Sequence, residues 1–426
     1  MMTSRATFLD AVNWDFPSSL PGVGSSIHWY PGTFPNALPA TFIQAFTEPG
    51  ALVFDPYGGI GTTAFEAIRQ QRSALSTDAN PIATLVAAFS CALVALSRTA
   101  PDIVDSLLKT LGARIATCER SGQSSLALTE FSNGSFKGAE PRIRKIFEQI
   151  EYLLFDCIQG PPNLAALTPW FHEKSIIEAL DLYGAFADRN QSPIIRIAGF
   201  VMVSAIMRPL SSQTASWGHV ADNVLPKELV YKSVALQCKI WLSKLSRVMR
   251  ETKVHPVHEQ SESTSSVVRF NWLNDQNEPL QMASGSVDLM VTSPPYASAI
   301  DYTLSQRLSH YLAGYSDVEI KHLVSAEIGA RRQRFHIAQE EVWATHLASS
   351  LESQLRLMKD SGVVCVVLPH KDAGRRLGEI AFESVLKDAG WRQIWAGSRS
   401  IRQSRTRQSW TSIQKETLLV FGGRKF

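Results

Sequence analysis

Residues 51–63 read ALVFDPYGGIGTT. The apolar run Ala51 to Phe54 has the length of a buried strand, and it ends at Asp55 in a turn that holds Gly58, Gly59 and Gly61. Thr62 to Gln70 then carries a helical pattern. Strand, glycine turn and helix in this order open an α/β unit. The glycines let the backbone turn tightly and approach a ligand, and the helix start offers unpaired N–H groups. No Gly-Lys-Ser/Thr follows, so the loop is not a phosphate-gripping P-loop.

Working outward, Arg72 to Thr77 reads as a second strand leading to Asp78, and Pro81 opens an apolar helix at its first turn. Asp78 stands where a Rossmann unit places an acid for ribose hydroxyls. Pro81 to Ser97 is uncharged, but at 17 residues it sits at the short limit for a membrane span, and a helix buried against a sheet is expected. From Arg98 to Ser265 the apolar residues recur at helical spacing, as in Ile103, Val104, Leu107 and Leu108, and again from Ile143 to Leu154. Further helices are expected at 173–187, 193–208 and 226–250, followed by a polar linker from Lys253 to Ser266. Strand signals then return at Val267–Leu273, Val287–Thr292, Gly362–Leu368, Arg392–Trp395 (extendable to Ser400) and Thr417–Phe421, separated by helices near 339–358 and 373–388. The fold expected is α/β: one sheet from residues 1–97 and 266–426, interrupted by a mostly helical insertion, 98–265.

The chain has 426 residues, 45% hydrophobic and 19% charged, with 25 Gly and 21 Pro, which excludes fibrous and disordered classes. Its five cysteines form no CxxC pair, so neither a disulfide framework nor a zinc cluster fits, and a reducing, cytoplasmic setting is expected. The first residues contain acids and no apolar core, unlike a secretory signal. The net charge of +3 hides a gradient: residues 301–426 carry 19 Lys+Arg against 13 Asp+Glu, and the first 300 carry a net −3. Basic residues cluster at Arg331, Arg332 and Arg334 and at Arg399, Arg402, Arg405 and Arg407, spaced to grip phosphates of a polyanion. His255, His258 and Glu259 surround Pro256 in the polar linker and read as a loop, so no metal is expected.

The second chemical site is TSPPY, Thr292 to Tyr296, at the end of an apolar strand. Pro294 and Pro295 hold the chain extended and remove two N–H donors, which leaves local carbonyls as acceptors. An amino group placed there can donate to a carbonyl and to Ser293 while a flat ring stacks on Tyr296.

Together the two sites resemble the S-adenosylmethionine-dependent DNA amino-methyltransferases, which act on N4 of cytosine or N6 of adenine. The resemblance covers residues 27 to about 97 and about 267 to 423. DPYGGIGTT looks like that family's DPFxGSGTT cofactor loop, with Tyr57 in place of Phe and Ile60 in place of Ser. TDANPIA is similar to its acidic second-strand end, and IHWYPGTF, Ile27 to Phe34, to the segment that covers the methionine end of the cofactor. TSPPY is the serine form of the catalytic loop, which in this family goes mainly with cytosine-N4. The resemblance therefore implies a Rossmann-like methyltransferase sheet, S-adenosylmethionine as cofactor and DNA as partner, with a cognate restriction endonuclease as a further partner. It implies Ser293, Pro294, Pro295 and Tyr296 as catalytic residues, and Tyr30, Asp55, Tyr57, Gly59, Gly61, Thr62, Asp78 and Asp275 as cofactor-binding ones. The insertion is the expected place for target recognition, where Met207 to Ser212 and Trp217 to His219 could reach DNA; a helical scaffold is the competing expectation. Adenine-N6 methylation and a non-catalytic DNA-binding protein that has kept the fold are the alternatives.

Overall fold

The computed structural model describes residues 2–17, 23–121, 140–213, 220–251, 263–273, 280, 282–296, 301–330, 338–370, 377–400 and 415–426. Seven strands form one sheet: β1 (Leu52–Asp55), β2 (Ser73–Asp78), β3 (Ser265–Arg269), β4 (Val287–Thr292), β5 (Met358–His370), β6 (Arg392–Ser400) and β7 (Lys415–Gly422). Their order is β3-β2-β1-β4-β5-β7-β6. The first five strands pair in parallel, and β7 runs antiparallel to both β5 and β6. This is a Rossmann-like order up to β5, and it reverses direction between β2 and β4 at β1, so the crevice beyond the carboxyl end of β1 is the place for a ligand.

Side chains alternate across the sheet, as a period of two requires. Val53, Ala74, Val291, Cys365 and Val420 face one core, and Phe54, Leu75, Met290, Val364 and Phe421 face the other. The helices Gln339–Leu355 and Leu377–Asp388 close the second face through Leu351, Phe382 and Leu386. The first face is covered by Pro81–Thr99, which lies almost wholly buried because further helices pack over it. Those helices, Pro101–Ser121, Pro141–Cys157, Glu173–Ala187, Pro193–Leu210 and Val234–Glu251, contribute to the same continuous core as the sheet. Among the described residues, no strand lies between Thr99 and Ser265. Pro81–Thr99 and Pro193–Leu210 are both long and apolar enough to cross a membrane, and both are mostly buried here.

Several boundaries differ from the sequence expectation, two of them beside the site or the insertion. β3 stops at Arg269 rather than Leu273, because the Asn271 side chain accepts from Leu273 N at 3.0 Å and turns the chain. The helix expected from 226 begins at Val234; Pro226 and the residues after it run without helix up to that point.

Candidate active site

Gly61 (φ +82°) and Gly59 (φ +52°) occupy the left-handed region, where other residues pay about 1–2 kcal/mol. Space requires glycine at Gly61, where a Cβ would lie 2.8 Å from Ala87 Cβ, and one on Gly59 would crowd the Tyr30 ring at 3.2 Å. The turn folds back on itself through Gly61 N donating to Gly58 O at 2.8 Å, and reaches β2 through Gly58 N donating to Thr77 O at 2.9 Å. Gly59 N donates to Asp78 Oδ2 and Asn80 N to Asp78 Oδ1, both at 2.8 Å. Asp78 thus presents both oxygens beside the loop, each with acceptor capacity left. Burial pushes its carboxyl up to about 6, although the two N–H groups pull the other way.

Asp55 joins the two motifs. Its carboxylate accepts from Thr63 Oγ1 and from Thr292 Oγ1, both at 2.7 Å, and from Tyr57 N at 3.2 Å. Thr63 belongs to the helix after the glycine turn and Thr292 ends β4, so one buried side chain clamps the glycine turn to the start of TSPPY. Burial raises Asp55 to about 6 against the pull of these donors.

A cleft of about 940 Å³, mouth included, opens over this clamp. Tyr30, Asp55, Tyr57, Gly59, Thr62 and Asp78 line it, and so do Ser293 and Pro295. The Tyr30 ring stacks on Tyr302, with centroids 5.9 Å apart. Tyr57 turns its hydroxyl away to Ser350. Gly61 acts beneath the cleft as a close-packing position. Asp275 lies outside the described residues.

Residues 7–87 match the family model described as DNA methylase. The matched span holds Tyr30, the glycine turn and Asp78, and with the sheet it supports a methyltransferase. No curated protein matches the chain. Two solved structures of the rRNA methyltransferase aviRa from Streptomyces viridochromogenes, at 1.5 Å and 2.4 Å, are similar to it at 11% identity. The first covers 93% of this chain and 89% of its own with a TM-score of 0.34; the second covers 94% and 90% with 0.33.

The TSPPY segment of this methylase-like chain is held from outside by Trp343 and Glu416 and from within by its own hydroxyls. Trp343 Nε1 donates to Pro295 O at 2.8 Å. Ser293 Oγ donates to Tyr296 Oη at 3.1 Å, and Tyr296 Oη donates to Glu416 Oε1 at 2.9 Å. Burial and the nearby Glu416 push the Tyr296 hydroxyl well above its ordinary range, so it keeps its proton.

Arg399, expected to grip DNA phosphate, is only 8% exposed, and its Nε lies 2.6 Å from Glu416 Oε2. Its guanidinium is buried beside that carboxylate as an ion pair by distance, since neither Arg399 Nε nor Glu416 Oε2 makes an aligned hydrogen bond among the described residues. Arg402, Arg405, Arg407, Arg331, Arg332 and Arg334 lie outside the described residues, as do the segment Trp217 to His219 and the group His255, His258 and Glu259. Met207 is fully buried, and Arg208 stacks on Trp29 at 4.0 Å. Among the described residues, no group of three or more His, Cys, Asp or Glu is placed to hold a metal ion.

Sequence reasoning missed part of the cleft wall. Phe270, Asn271 and Trp272 come from the turn after β3, with Trp272 Nε1 donating to Pro56 O at 3.0 Å. Tyr302, Thr303, Leu323, Ala326, Glu327 and Ile328 come from the stretch after TSPPY. Glu327 accepts from Thr303 N through Oε1, and its buried Oε2 has no hydrogen-bond partner among the described residues. Burial pushes its carboxyl up to about 8. The Tyr302 continuation of TSPPY was the available signal for this wall; Glu327 carries no motif.

Proposed function

We propose that this chain is a DNA methyltransferase that moves a methyl group from S-adenosylmethionine to the exocyclic N4 amino group of cytosine. The observation that carries this reading is the Asp55 clamp, which makes the glycine turn and TSPPY two walls of one cleft.

The cleft residues fit the cofactor. The spare acceptor capacity of Asp78 suits two ribose hydroxyls, and Phe270, Trp272 and Ile328 offer apolar surface for a flat base. Asp78 and Glu327 give the cleft an acidic wall, suited to a ligand that carries positive charge, and the unpartnered Glu327 oxygen suits a cationic or N–H group. S-adenosylmethionine, when bound, supplies a methyl group already activated on a sulfonium centre. The work left to the protein is positioning and a favourable field.

The target base must leave the duplex, because its amino nitrogen is out of reach while stacked. Tyr296 offers a face for stacking. Ser293 Oγ and the Pro294 carbonyl accept the amino hydrogens, which turns the nitrogen lone pair toward the cofactor side of the cleft. No nucleophilic cysteine takes part; all five cysteines are buried. Arg402, Arg405 and Arg407 are our candidates for phosphate contact. The insertion's helices pack into the shared core, so we assign target recognition to the segments that join them rather than to the helices.

Expression in a methylation-free bacterial host, followed by modification-sensitive sequencing of the DNA, tests the proposal. Sequence-specific N4-methylcytosine that disappears in Ser293→Ala and Tyr296→Ala is the expected result. N6-methyladenine at a fixed site would move the target to adenine, and unmodified DNA from a protein that does not bind S-adenosylmethionine would overturn the proposal.

A further inference from the structure

Glu416 lies outside the cofactor cleft and outside both motifs. It sits on β7, where the antiparallel register sets it directly opposite Arg399 of β6 and Pro369 of β5. Both charged side chains are buried, at 10% and 8% exposure. A charge pair removed from water is costly to maintain and is weak evidence of a role in stability alone. What it touches is informative: Oε2 faces Arg399, and Oε1 takes the Tyr296 hydroxyl.

The consequence is a direction. A carboxylate has no proton to give, so Tyr296 must donate to Glu416. A phenol has one proton. Once it is given to Glu416, Tyr296 Oη can only accept, and the donor 3.1 Å away is the Ser293 hydroxyl. Ser293 has then spent its own proton inward, and toward the cleft it shows only lone pairs. A wall of that kind accepts from an amino group and repels a carbonyl oxygen. Reversing the chain would set a lone pair of Tyr296 against Glu416 at 2.9 Å.

We infer that Glu416, oriented by Arg399, is a specificity-determining positioning residue that fixes the Ser293 hydroxyl as an acceptor, so that the site admits amino bases and excludes keto bases. The inference rests on the methyltransferase proposed above. It also gives Arg399 its place: the guanidinium holds the carboxylate that polarises the catalytic loop.

Glu416→Gln reverses the chain by a single atom. The amide oxygen must face the Arg399 guanidinium, which leaves the NH2 to donate to Tyr296. Tyr296 then donates to Ser293, and Ser293 donates into the cleft. The test uses duplexes carrying the methylated site found by sequencing, with the target base opposite an abasic position so that no pairing must be broken. The target is either the amino base or its keto counterpart, uracil for cytosine or hypoxanthine for adenine. Binding is measured with S-adenosylhomocysteine at saturation.

Wild type should prefer the amino base at least roughly tenfold, the scale of one buried polar group left unsatisfied. In Glu416→Gln the preference should fall at least tenfold and pass toward the keto base. In Tyr296→Phe, which leaves Ser293 free to rotate, it should shrink toward none. S-adenosylmethionine affinity in Glu416→Gln should stay at the wild-type value, which shows that the fold is intact. An amino preference that both variants keep would overturn the inference and leave the proposed function standing. A wild type that binds S-adenosylmethionine and methylates no DNA would overturn the proposed function, and this inference with it.

Discussion

Asp55, Asp78 and Glu327 are three buried acids on one cleft, and each is pushed above the ordinary carboxylate range mainly by burial. An acid raised in the fold contributes stability that is fully present below its unfolded value and is lost as pH rises through its folded value. For Asp55 and Asp78 that window runs from about 4 to about 6, and for Glu327 it extends to about 8. The ligand-free protein should therefore lose stability as pH rises across this range, on the order of 3 kcal/mol for each aspartate and more for Glu327. Urea unfolding at a series of pH values measures it; a slope of opposite sign would show that other groups dominate. Because ionised acids favour a cationic ligand, S-adenosylmethionine affinity should rise over the same window. Asp78→Asn should weaken that affinity at least tenfold, because the amide turns an N–H group toward either Gly59 N or Asn80 N and loses an acceptor. Titration calorimetry that finds wild-type affinity in this variant would remove Asp78 from the ribose. Asp78 was legible in the sequence as the acid ending a second strand. Glu416 was not, because its meaning depends on a partner 120 residues away.

At the scale of elements, the strands were legible wherever an apolar run was long and bounded by turn residues. β4 matches its expected limits of Val287 and Thr292, while β5 runs longer than its apolar core, from Met358 to His370. The wall after the catalytic loop was not legible, since helices such as Tyr302–Ser305 and Arg307–Leu312 are too short to show a period. The next helix did carry a signal that went unread, a capping box in which Ser316 and Glu319 satisfy each other's backbone N–H groups. Helix Pro81–Thr99 begins at Asn80, whose side chain accepts from Ile82 N at 3.0 Å. Asn80→Ala should cost about 0.5–2 kcal/mol, read from the denaturant midpoint. Within the insertion, Gly199 lets helix Pro193–Leu210 cross Glu173–Ala187, and a Cβ there would lie 2.2 Å from Phe186 Cβ. Gly199→Ala should cost at least about 1–3 kcal/mol by overpacking; a neutral substitution would mean that this crossing is loose.

For the whole molecule, 426 residues at roughly 150 per domain would make about three pieces. The helices between residues 98 and 265 instead complete the core over Pro81–Thr99 and reach the cofactor side through the His28–Ser204 hydrogen bond, 2.8 Å long. Burial pushes His28 down to about 4, so this tie carries a neutral imidazole at physiological pH. Unfolding should accordingly be one cooperative transition, with helix content and tryptophan fluorescence changing together; two separated transitions would make the insertion an independent unit. The charge gradient also takes on structure at this scale. One of its arginines, Arg399, is drawn into the ion pair behind the catalytic loop, and the Arg402 to Arg407 cluster on the segment joining β6 to β7 is left as the candidate for DNA. The reaction proposed is methyl transfer to an exocyclic amino group through Ser293. Its most direct test incubates the purified protein with methyl-labelled S-adenosylmethionine and DNA, then digests the DNA to nucleosides. Label in N4-methyldeoxycytidine, and none with Ser293→Ala, is the expected result; label in 5-methyldeoxycytidine, or transfer undiminished in Ser293→Ala, would rule the reaction out.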